Sequence, residues 1–184
     1  MLKTFEKVVS KIVSMPSQNS VVQDNGPIRW GIIGVGNVCE VKSGPGFQKA
    51  DGSELVAVMR RDVKAAEDFA TRHGVPHFYG SVDEILAHEG IDAWYIASPP
   101  GTHLEIALKC LEKTGKPCYV EKPVARNFTE TLQLVEAFEA RNVPLFTAYY
   151  RRVSVVVHHN SHACCAHRSF LYRRVKRNSI GRAV

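Results

Sequence analysis

Ile28-Arg29-Trp30-Gly31-Ile32-Ile33-Gly34-Val35-Gly36-Asn37-Val38-Cys39 is the stretch from which the fold is read. Its first half is short, apolar and β-branched, as a strand buried in a parallel sheet requires. It runs directly into Gly34-x-Gly36-x-x-Cys39, the dinucleotide-binding spacing with its third glycine replaced. Gly34 permits the tight turn out of the strand. Gly36 has no side chain, so a pyrophosphate can approach the backbone N–H groups at the start of the following helix. Gly34, Gly36, Asn37 and Val38 are therefore candidate cofactor contacts. Cys39 stands where a small residue lets the helix lie close to the strand, and its bulk predicts slightly looser packing. Glycine-rich turns also serve plain strand-to-helix connections, so the rest of the chain has to decide.

From Arg29 to Tyr150 strand and helix patterns alternate. This predicts an α/β fold, a doubly wound and mostly parallel sheet of about six strands covered on both faces. Further strands are expected at residues 55–59, 77–79, 91–97, 117–120 and 144–150. Ser43-Gly44-Pro45-Gly46 should interrupt the first helix, giving a short helix, a break and a second turn near Phe47 to Ala50. Residues 63–73 place Val63, Ala66, Phe69 and Ala70 on one helical face, with Gly74 as the stop. Ser81-x-x-Glu84, Thr102-x-x-Glu105 and Asn127-x-x-Glu130 each set a capping oxygen three residues before a Glu and predict three helix starts.

In such a sheet, ligands sit at the carboxyl ends of the strands. At the second strand's end, where an acidic residue would face a ribose 2′-hydroxyl, stand Arg60 and Arg61. They suit a 2′-phosphate and favour NADP, while Asp62 keeps NAD open; the alternative is two surface arginines ending a strand. After the next long strand comes Ser98-Pro99-Pro100-Gly101-Thr102-His103. The prolines cannot continue a ladder and shape a rigid loop from which Ser98 and His103 would reach the nicotinamide half or the substrate. A first-turn His is also often just solvated. Glu121-Lys122-Pro123 follows another strand, and there partial desolvation and cofactor charge would tune the Lys122 ammonium to give a proton to a carbonyl oxygen. From spacing alone, a surface lysine is the stronger reading.

Charge and cysteine usage narrow the remaining classes. Residues 151–184 carry eight of the 24 Lys and Arg and no acid, leaving 16 basic residues against all 18 acidic ones, so the body stands at −2. A nucleic-acid-binding domain would spread its cations over a folded face, and no specific nucleic acid is expected here. Five cysteines, three of them in apolar segments, suggest reduced buried thiols and a cytoplasmic setting. No apolar run reaches a membrane span, and no membrane partner is expected. Residues 1–27 read as a mobile extension with Leu2, Phe5, Val9, Ile12 and Val13 near one side of a short helix. In the tail, His158, His159, His162, Cys164, Cys165 and His167 lack the paired spacing of a structural zinc site, and no metal is expected. A disordered basic tail is the favoured account of 151–184, ahead of charge-only contacts by Arg168 to Arg177.

Gly34-Val35-Gly36, the Ser98–His103 loop and Val120-Glu121-Lys122-Pro123, at these separations, resemble the N-terminal domain of the glucose-fructose oxidoreductase and inositol dehydrogenase family, also called Gfo/Idh/MocA. The resemblance covers residues 28–150, and the Arg60-Arg61 pair is similar to members that use NADP. It implies a Rossmann-type NAD(P)-binding domain in which Lys122 lies by the nicotinamide, with Glu121 beside it. Lys122 would assist hydride transfer on a sugar, cyclitol or dihydrodiol. It further implies a second, substrate-binding domain that supplies an Asp and a His. No Asp or Glu follows Glu139, so that carboxylate has no counterpart, and the abrupt change after Arg152 reads as an altered C-terminus from a splice or gene-model event. Two expectations stand side by side: an NAD(P)-dependent oxidoreductase, or a catalytically silent NADP-binding short form, one that could pair with a full-length subunit.

Overall fold

Strand alternation sends consecutive side chains to opposite faces of a sheet, and here both faces are covered. The computed structural model describes residues 26–149. Strands β1 (Ile28–Ile33), β2 (Ser53–Met59), β3 (His77–Tyr79), β4 (Ala93–Ile96), β5 (Cys118–Glu121) and β6 (Leu145–Ala148) form one sheet in the order β3-β2-β1-β4-β5-β6. Every pairing is parallel. The helices are α1 (Gly44–Lys49), α2 (Val63–His73), α3 (Val82–Leu86), α4 (His103–Thr114) and α5 (Phe128–Ala140). The chain direction across the sheet reverses at β1 and β4, which is the doubly wound Rossmann arrangement.

Ile33, Met59, Trp94, Ile96 and Val120 pack with apolar residues of α3, α4 and α5 on one face. Ile32, Val58 and Tyr95 meet Cys39, Phe69 and Ala70 on the other. Trp94 fits because Gly31 on neighbouring β1 leaves room for it: a Cβ at Gly31 would lie 2.5 Å from the indole ring. The indole N–H is satisfied by Thr114 Oγ1 at 2.9 Å, so a large polar-edged ring can be wholly buried.

Several expectations hold in detail. α2 spans Val63–His73 and stops at Gly74, whose φ of 63° is left-handed; only Val63 departs, being 48% exposed. Ser81 and Glu84 form a reciprocal capping box on α3. Asn127 Oδ1 accepts the Glu130 N–H at 2.9 Å at the start of α5, but the Glu130 carboxylate turns to Arg126 instead of completing a box. Cys39, Cys110 and Cys118 are buried free thiols.

Two expectations are corrected. Ser43 to Gly46 does not break the first helix: a π-turn (Cys39–Ser43) runs straight into α1. Gly44 donates to the Cys39 carbonyl, and any Cβ there would collide with that oxygen. The wider turn also eases the entry of Pro45, which has no N–H to offer. Thr102 does not cap α4. Its hydroxyl bonds Ser98 Oγ (2.9 Å) and the Pro99 carbonyl (2.8 Å), and the helix is entered through a 3-10 turn, Pro100–Thr102. The N-terminal helix and the tail histidines, cysteines and arginines named above lie outside the described residues. Among the described residues no helix is long and apolar enough to cross a membrane.

Candidate active site

Because all strands are parallel, their carboxyl ends share one edge, which brings the Gly34 turn, Arg60-Arg61, Ser98 and Lys122 together. Gly34 has φ +94°, and a Cβ there would lie 2.6 Å from the Ser98 nitrogen, so both conformation and space demand glycine. Gly36 is different. A Cβ on it would meet nothing nearer than the Gly34 oxygen at 4.0 Å. Protein packing leaves the face of Gly36 open, and the exposed Asn37 and Val38 follow it at the start of the helical segment. N–H groups at a helix start have no acceptor from a preceding turn, so this cradle fits a pyrophosphate.

At the end of β2, Arg60 and Arg61 are exposed, and no ion pair among the described residues engages either guanidinium. Asp62 caps α2, its Oδ1 accepting the Ala65 N–H at 3.3 Å. Arg61 and Lys109, with Met59, Ile106 and the carboxylates Asp83 and Glu105, line a cavity of about 280 Å³. Lys109 is held by Asp83 at 2.6 Å, and Lys113 binds the same carboxylate; the two ammonium groups hold Asp83 down at about 2.

Ser98 is half-buried, and Pro99 and Pro100 are exposed on the loop. His103 is not on the cleft surface. It is wholly buried, with Nδ1 2.9 Å from the Pro123 carbonyl and Nε2 2.7 Å from the Ser98 carbonyl. The expected reach to nicotinamide or substrate is replaced by a staple between two loops. The Lys122–Pro123 peptide is cis. Lys122 itself is exposed.

Glu121 is half-buried. Its Oε1 accepts from the Tyr95 hydroxyl at 2.6 Å and its Oε2 from the Lys122 N–H at 3.1 Å. The Tyr95 hydroxyl also lies 3.0 Å from Ser43 Oγ in the π-turn. Burial first, then the carboxylate, push the Tyr95 phenol far above its ordinary range, so it stays a donor. Tyr95 and Ser43 were not singled out from the sequence. The available signal was a Tyr inside an otherwise apolar strand, whose hydroxyl must find a partner when buried.

A family model described as "Oxidoreductase family, NAD-binding Rossmann fold" (GFO_IDH_MocA) matches residues 28–149. The chain belongs to this family. Oxidoreductase P35 of Formosa agariphila is 49% identical over 125 residues, which is 68% of this chain and 39% of that protein. A trans-1,2-dihydrobenzene-1,2-diol dehydrogenase of Xenopus laevis is 32% identical over 125 residues, covering 67% of this chain and 38% of that one. The WlbA dehydrogenase of Bordetella pertussis, solved with NADH and UDP-GlcNAcA, matches with TM-score 0.65 and 26% identity over 72% of this chain and 40% of its own. The chain thus spans about two-fifths of the length of these family members. The matched segment holds the Gly34 turn, the Ser98 loop and Lys122.

Proposed function

We propose that residues 28–149 bind NADP(H) and serve an oxidoreductase acting on the CH–OH group of a sugar, cyclitol or dihydrodiol. The contrast between two glycines carries the reading. Ser98 requires Gly34, whereas the protein itself leaves the space over Gly36 open, as a pyrophosphate needs. Two exposed arginines at the end of β2, Arg61 among them on a cavity wall, favour a 2′-phosphate over a free 2′-hydroxyl. Gly34, Gly36, Asn37 and Val38 would hold the pyrophosphate, Arg60 and Arg61 the adenosine end, and Ser98, Pro99 and Pro100 the edge of the cleft.

A nicotinamide bound at this edge supplies or accepts the hydride. Lys122, at the end of β5, would hold the proton at the substrate oxygen, with Glu121 fixing its backbone. Positioning of the substrate carbon accounts for several orders of magnitude in rate, and a second reading is that this polypeptide binds NADP(H) without efficient turnover. The test follows NADPH absorbance with the 184-residue polypeptide over a panel of sugars, cyclitols and dihydrodiols. NADPH binding with little or no turnover is the expected result. Robust turnover that vanishes in Lys122→Met would establish a complete enzyme, and absence of NADPH binding would refute both readings.

A further inference from the structure

Glu121 and Pro123 flank Lys122, and each is tied to a buried side chain from another element. On one side, the Tyr95 hydroxyl of β4 reaches Glu121 Oε1 at 2.6 Å, and Glu121 Oε2 takes the Lys122 N–H. On the other, His103 of α4 sets Nδ1 2.9 Å from the Pro123 carbonyl and is anchored through Nε2 to the Ser98 carbonyl at 2.7 Å. Tyr95 and His103 are both fully buried. The Lys122 side chain lies in solvent, and no ion pair among the described residues holds its ammonium. What aims it is the backbone from which it projects.

We propose that Tyr95 and His103 are positioning residues that grip the chain on either side of Lys122 and hold its ammonium at the cofactor edge. The proposal rests on the reading of Lys122 as the proton-transfer group beside a bound nicotinamide. Both side chains brace the backbone beside Lys122 from other elements, β4 and α4, so each ties the Lys122 segment to a neighbouring part of the cleft edge. Tyr95 adds a second link, since its hydroxyl also meets Ser43 in the π-turn that follows the Gly36 cradle. The lysine end of β5 and the pyrophosphate end of β1 are therefore held in one register.

The imidazole offers a clean separation of its two contacts, to only one of which a neutral ring can donate. An Asn amide nitrogen occupies the place of Nδ1 and a Gln amide nitrogen that of Nε2, so His103→Asn keeps the Pro123 bond and His103→Gln keeps only the Ser98 bond. The experiment pulses the purified polypeptide with acetic anhydride and measures Lys122 acetylation by mass spectrometry, with and without saturating NADP+. NADPH affinity and melting temperature are measured alongside. In the unaltered chain NADP+ should shield Lys122 several-fold. Tyr95→Phe and His103→Gln should lose most of that shielding with little change in NADPH affinity, while His103→Asn retains it. Unchanged shielding in Tyr95→Phe and His103→Gln overturns the proposal. So does failure of all three variants to fold or to bind NADPH, which would make the two residues merely structural. If the unaltered chain binds NADPH and Lys122 is not shielded, the role of Lys122 fails and the proposal with it; if NADPH does not bind, the cofactor reading itself has failed.

Discussion

Gly34 and Ser98 are in contact across the junction of β1 and β4, so close that a Cβ on Gly34 would sit 2.6 Å from the Ser98 nitrogen. The cofactor turn and the cleft loop are thereby one packed unit at the point where the sheet reverses direction. Gly34→Ala adds both a clash with backbone and a left-handed φ, and should cost about 2–4 kcal/mol, read as a lowered denaturation midpoint in urea. Gly36→Val, two residues on, should leave the midpoint within about 0.5 kcal/mol and abolish NADPH binding. Equal destabilisation by the two substitutions would mean that Gly36 serves the fold and not a ligand.

Gly31→Ala tests the packing beneath the site. The new methyl would press on the Trp94 ring at 2.5 Å and on Ile91 at 2.9 Å, between two central strands that cannot part. A loss of about 1–3 kcal/mol is expected, with NADPH affinity per folded molecule unchanged. A neutral substitution would show that Trp94 has room to move.

Acid should weaken the packing of the π-turn against α2. Hydrogen bonds from Arg72 first and then His73 lower the Glu40 carboxyl from its ordinary 4.5 to about 2. A carboxylate depressed in the folded state contributes stability that is full above its unfolded value and is lost as pH falls through its folded one. The contribution should therefore fade between pH 4.5 and about 2. The pair is partly solvated, so its size is about 0.5–1 kcal/mol. Melting curves of Glu40→Gln should fall less steeply over that window than those of the unaltered chain; parallel curves would remove Glu40 from the acid response.

Local patterns were readable where local physics decides. The β1 run and its glycine turn, the α2 face from Ala66 to its Gly74 stop, and the Ser81–Glu84 box all depend on neighbours in sequence, and each is found as expected. The π-turn was hidden because Gly44-Pro45 reads as a breaker, and only the tertiary approach of the Cys39 carbonyl shows why glycine is there. Thr102 matched a capping box, yet the two prolines before it turn its hydroxyl back onto Ser98. His103 looked like a cleft residue because its partner Pro123 lies 20 residues away. Tyr95 and Glu121 are joined only once β4 and β5 pair, which no local spacing reveals.

The central claim is that the edge of this sheet was built for a nucleotide with a 2′-phosphate, and calorimetric titration of NADPH and NADH into the unaltered chain and Arg61→Ala tests it most directly. Arg60 and Arg61 are exposed at the end of β2, and Arg61 lines the cavity there. The account predicts tighter binding of NADPH than of NADH, with Arg61→Ala weakening NADPH by about 1.5–3 kcal/mol and leaving NADH nearly unchanged. Equal losses for the two cofactors, or no binding of either to the unaltered chain, would contradict it.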